Sequence, residues 1–188
     1  TQTPPEQIFL GAIILQREDK SSTVTSDKYT VIDGQQRLTT IYLTLAAMAE
    51  YAYEKGFVAE AKALIKNYMV SQGRGTEDYP KIESTNLDRQ QLNDVLQDLK
   101  AFSIKLNPGT GKKNGDLLNA YNFIKEKIVK ALILEMDASE SVHTFTIFMD
   151  SFLENFVIAD ITLDSSHDPN EVFDRLNTKG IRLGIIDL

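Results

Sequence analysis

Residues 33–37 read Asp-Gly-Gln-Gln-Arg, five residues of types that phosphate chemistry uses. Arg37 offers a planar fork of donors matched to phosphate oxygens. Gly34 lets the backbone turn sharply and approach a ligand closely. Gln35 and Gln36 donate or accept without adding charge. Asp33 repels a bare anion; its uses are to cap a helix, to ligate magnesium or to hold Arg37 in place. A second polar group lies in VFDRLNTKGIRL, residues 172–183, where Asn177 can take a left-handed conformation and Lys179 and Arg182 are cations. Asn177 and Lys179 could meet Arg37 around one polyanion. Both stretches also have a plain structural reading. The first can be a capped turn with a salt-bridged arginine, the second a helix stop with solvated charges.

The elements around the pentapeptide decide how it is presented. The β-branched run KYTVI (28–32) precedes it. After it the period changes, and Leu38, Ile41, Tyr42, Leu45, Met48, Ala49 and Ala52 fall on one helical face that ends near Gly56. A strand therefore hands over to a helix at Gly34. The first turn of that helix has N–H groups without intrahelical partners and sits at the positive end of the macrodipole. Anions bind there readily.

FLGAIIL (9–15) reads as a strand before an exposed loop, QREDKSSTVTSD. Further helices are expected over 57–70, 87–102, 116–134 and 139–155, with a short extended piece at 81–83. FVIADITL alternates as a strand should. A last helix begins with Asp168 as N-cap, Pro169 at the first helical position and Glu171 three residues after the cap, and ends at Gly180. The expected fold class is α+β and predominantly helical. A small α/β unit comes from residues 1–56 and 156–188, with a helical insertion over 57–155.

Composition narrows the functions. The chain has 188 residues, 42% of them hydrophobic, enough for one sizeable core or two small ones. Its formal charge of -7 argues against gripping DNA over a broad face, because such binding rests on Lys and Arg displacing counterions. A local basic pocket is compatible with it. There is no cysteine, so disulfides, thiolate metal sites and cysteine nucleophiles are excluded. His143 and His167 lack metal-ligand spacing. The longest mostly apolar run, IYLTLAAMA, is short of the roughly 20 residues a bilayer requires, and no signal peptide is evident, so a cytoplasmic protein without a membrane partner is expected. NPGTGKKNG misses the phosphate-loop pattern, since Leu106 stands where a glycine is needed and Lys113 follows Lys112.

VIDGQQRLTTIYLTLAAMAE resembles the signature of the GmrSD-type restriction endonuclease N-terminal domain, a ParB/sulfiredoxin-like family. PNEVFDRLNTKGIRLGIIDL is similar to that family's second block, and FLGAIIL and NAYNFI also fit it. The resemblance implies a small ParB-like α/β core carrying the DGQQR and FxxLN blocks, with a large helical insertion. It implies binding and hydrolysis of a nucleoside triphosphate (GTP, ATP or another) with Mg2+, in prokaryotic defence against modified foreign DNA. Asp33, Gln35, Gln36 and Arg37 would then be catalytic. Gly34, Arg37, Thr39, Asn177 and Lys179 would bind the nucleotide, and Asp33 would ligate magnesium. Family members usually open with a segment absent here and continue into a nuclease region, so a fragment is expected, with DNA engaged through that C-terminal region. The alternatives are a ParB-like DNA nuclease site at DGQQR and a non-enzymatic DNA- or protein-binding module. A homo-oligomer is compatible with all three.

Overall fold

The computed structural model describes residues 7–18, 27–72, 78–84, 88–97, 99, 106, 115–137, 141–168, 171 and 172. It is an α+β chain, mainly helical with a small mixed sheet. Two compact units are present, one from Thr1–Thr39 and Phe152–Leu188, the other from Thr40–Ser151. The dividing point falls inside the first helix.

The first unit holds a three-stranded sheet. β1 (Ile8–Arg17) is central, β2 (Tyr29–Asp33) runs antiparallel to it and β5 (Phe156–Leu163) parallel. Ala12 and Ile14 are buried on one face, two residues apart as the pleat requires. The register breaks twice. Phe9 faces Val157 and Ala12 faces Ala159, so Leu10 and Gly11 stand against one residue of β5. Ile14 faces Asp33 and Leu15 faces Val31, so β2 carries Ile32 as its extra residue. Such bulges bend a strand and re-aim the next side chain.

Helix α1 (Gln35–Glu54) follows β2 after the single residue Gly34. Its start lies three residues before the first apolar position of the sequence pattern. From Tyr42 to Ala49 every residue is buried, as are Tyr51 and Ala52. The expected stripe is thus a belt around the whole helix, because Ala46, Ala47 and Ala49 let neighbours approach closely.

In the second unit, α2 (Val58–Leu64) widens into a π-helical turn, Ile65–Met69, and stops where Val70 turns extended. Val70 begins β3 (Val70–Gln72), which pairs antiparallel with β4 (Asp78–Pro80). This moves the expected extended piece from 81–83 to 78–80: Lys81 is a bend whose N–H donates to the Met69 carbonyl at 2.9 Å. α3 covers Arg89–Gln97; of the helix expected over 87–102, residues 87, 98 and 100–102 lie outside the described residues. α4 (Asp116–Phe123), a second π-helical stretch (Ile124–Val129) and α5 (Lys130–Met136) form one continuous rod. α6 (Val142–Asn155) starts at Val142 because the Ser141 hydroxyl accepts the Thr144 N–H at 3.2 Å and caps the helix. Tyr51 of α1 stacks on Phe145 of α6, ring centroids 5.9 Å apart, and Phe57 packs on the same ring at 6.0 Å. No helix among the described residues is long and apolar enough to cross a membrane.

Candidate functional site

The DGQQR pentapeptide occupies the β2–α1 junction of the first unit. Asp33 is the last residue of β2, and the register break at Ile32 stands directly before it. Gly34 is buried with φ +90°, a conformation that side chains other than hydrogen rarely adopt. A Cβ there would lie 2.6 Å from Ile13 Cγ2 and 3.1 Å from Arg37 Nη1. Glycine is therefore needed for both its torsion and its size.

Intrahelical bonding starts when the Leu38 N–H donates to the Gly34 carbonyl at 3.0 Å. The Gln35–Arg37 turn precedes that ladder and forms the positive end of a 20-residue helix. Arg37 turns back over the sheet. Its Nη1 donates to the Ala12 carbonyl, and its Nη2 lies 3.8 Å from Asp33 Oδ2. Both side chains stay partly open to solvent, 38% for Arg37 and 44% for Asp33. An exposed pair at that distance is worth only a few tenths of a kcal/mol. The hydrogen bond to Ala12 is the firmer tether.

Gly11, in the bulge of β1, has φ +105° and lies under the guanidinium. The strand pattern of FLGAIIL does not by itself mark Gly11 and Ala12 as parts of the site. The signal was present, since an isolated glycine in an apolar strand marks a bulge or a close approach.

The glutamines differ in use. Gln35 Nε2 donates to the Val31 carbonyl at 3.0 Å, tying the first helical turn back to β2. That is a structural task, which differs from the spare polar role expected from its type. Gln36 is exposed on the same turn, and Thr39 is half-buried one turn further on. Asp33, Gly34, Arg37, Gly11 and Ala12 thus meet at one place. Asn177 and Lys179 lie outside the described residues, as does the helix expected from Asp168 to Gly180 except for residues 168, 171 and 172.

A divalent ion held by protein alone needs several ligands. Among the described residues no group of three or more His, Cys, Asp or Glu is arranged to hold one. Asp33 is a single, half-exposed carboxylate. That suits magnesium carried mainly by phosphate oxygens, which commonly takes one or two protein carboxylates.

The model of the family described as GmrSD restriction endonuclease, N-terminal domain, matches residues 3–188. No curated protein and no solved structure matches the chain.

Proposed function

This chain belongs to the GmrSD restriction endonuclease N-terminal domain family, and from that premise we propose that its DGQQR turn binds and hydrolyses a nucleoside triphosphate to control cleavage of modified foreign DNA. The observation that carries the reading is the convergence of two strand bulges, a positive helix end and the partly open Arg37 guanidinium on one turn. Arg37 and the first-turn N–H groups would hold phosphate oxygens. Asp33 would hold magnesium together with those oxygens, and the ion supplies charge neutralisation when bound. Gln35 or Gln36 would orient the water that attacks the terminal phosphorus. The bond from that phosphorus to the bridging oxygen breaks, leaving a nucleoside diphosphate and inorganic phosphate. Such catalysis is mostly positioning and electrostatics.

On this reading the β1–β2–α1–β5 unit is a ParB/sulfiredoxin-like core, and Thr39, Asn177 and Lys179 complete the nucleotide pocket. DNA is engaged through another region of the restriction system. The test is a thermal-shift screen with ATP, GTP, CTP and UTP, with and without magnesium, followed by calorimetry on Arg37→Ala. One nucleotide is expected to raise the melting temperature, and Arg37→Ala to weaken it at least about tenfold, the loss of one charge-assisted hydrogen bond. A folded mutant with undiminished affinity refutes the proposal.

A second reading has its own observation. Arg37 spends a donor on the Ala12 carbonyl, so the motif can serve as a clasp for the bulged sheet. Absence of any nucleotide response, together with a large stability loss in Arg37→Ala, would select it.

A further inference from the structure

We infer that Asp33 is a specificity-determining residue of the DGQQR turn: it screens out metal-free phosphates, so that the turn takes a polyphosphate only as its magnesium complex. The inference rests on the nucleotide reading above and adds the form in which the ligand is accepted. Arg37 is held on two sides. Its Nη1 donates to the Ala12 carbonyl, and Gly11 lies along its Nε and Cζ. Nη2 is the nitrogen set beside a carboxylate, 3.8 Å from Asp33 Oδ2. Both side chains are more than a third open to solvent, so an anion can reach that corner.

A phosphate oxygen bonded to Nη2 at about 2.9 Å lies no farther than about 7 Å from Asp33 Oδ2. That is inside the Debye length of about 8 Å at physiological salt, so screening leaves much of the repulsion in place. The backbone around Asp33 is fixed, because Asp33 pairs with Ile14 in the sheet and Gly34 is packed against Ile13. The short carboxylate therefore stays near the guanidinium in any rotamer. When magnesium accompanies the phosphate, the same carboxylate becomes a ligand, and repulsion turns into attraction. Asp33 thus opposes the free anion and favours the complex. A residue that only held Arg37 in place would favour both forms.

The test is calorimetry and melting of the full chain with inorganic tripolyphosphate, in magnesium buffer and in metal-free buffer, at low ionic strength. The wild type should bind at least about fivefold more tightly with magnesium than without it. Asp33→Asn keeps the shape of the side chain and removes its charge. It should bind metal-free tripolyphosphate at least about fivefold more tightly than the wild type, and lose most of the gain from magnesium. Asp33→Ser provides the same comparison should Asp33→Asn not fold. Metal-free binding that is unchanged or weaker in the folded variant overturns the inference, as does wild-type binding that is equal in the two buffers. Arg37→Ala separates the two readings. Undiminished binding in that variant strikes the nucleotide site itself, and the inference with it. Binding that depends on Arg37 but ignores the charge of residue 33 strikes the screen alone.

Discussion

A Cβ added to Gly11 would lie 3.4 Å from Cζ and Nε of Arg37, so the bulge of β1 and the guanidinium of α1 are fitted to each other. The same guanidinium donates to the carbonyl of the next residue, Ala12. This residue pair links the central strand to the first turn of the helix.

Arg37→Ala is expected to lower stability by about 1–2 kcal/mol, because it leaves the Ala12 carbonyl without its charged donor. Arg37→Lys should lose about half as much, since an ammonium keeps the charge but not the planar fork. Urea unfolding should show both as shifts in midpoint at constant slope. Equal stability of all three proteins would mean that the tether contributes nothing in solution.

Gly34→Ala combines a disfavoured torsion with a clash against Ile13 Cγ2 at 2.6 Å. Each effect costs about 1–3 kcal/mol, so a total near 3 kcal/mol is expected. Differential scanning calorimetry should show a melting temperature many degrees lower. A near-neutral result would show that the turn relaxes.

Phe145 is fully buried between Tyr51 and Phe57. Phe145→Ala should cost about 3–5 kcal/mol, read as a lower thermal midpoint. Phe145→Leu should recover part of that loss by refilling the space.

Lys125 lies 2.8 Å from Glu50 and 2.9 Å from Glu54. Burial pulls its pKa down, but the hydrogen bonds to Glu50 and Glu54 outweigh burial and leave it above the ordinary 10.5. Tyr42 is also raised, by burial, and its hydroxyl donates to the Met69 carbonyl at 2.8 Å. Groups raised on folding contribute stability that is complete below their unfolded pKa and lost as pH rises through the folded value. Stability should therefore decline above about pH 10. Lys125→Met should lower it at pH 7 by about 1–3 kcal/mol and flatten that alkaline decline. Denaturant titrations from pH 7 to 11 check both signs.

The sheet strands, the strand-to-helix handover and the helical middle were legible because periodicities of two and of three-to-four are written directly into the residue order. Three things were not. The π-helical stretches at 65–69 and 124–129 shift the face of the rod by an amount no single period contains. β4 was displaced because its partner, β3, begins at Val70, which the apolar pattern had assigned to a helix. At the candidate site, Asp33, Gly34 and Arg37 stand out by their types, but Ala12 contributes only a backbone carbonyl and leaves no trace in composition. By type Gln35 is a spare polar group, yet its amide donates to the Val31 carbonyl. A side chain's partner across a bulge depends on tertiary register, which local chemistry does not encode.

The parallel pairing of β1 with β5 has a kinetic consequence. Ile14 meets Ile161 only after the whole helical stretch between them has been made, and closing so long a loop costs entropy before any contact repays it. On the ribosome, β2 and the helices between can consolidate from local contacts while β1 still lacks its β5 neighbour. Ala12 and Gly11 belong to that late-completed strand. Refolding should then show α-helical signal recovering ahead of protection at the Ala12–Ile14 amides, and the Arg37 cradle should be among the last features to form.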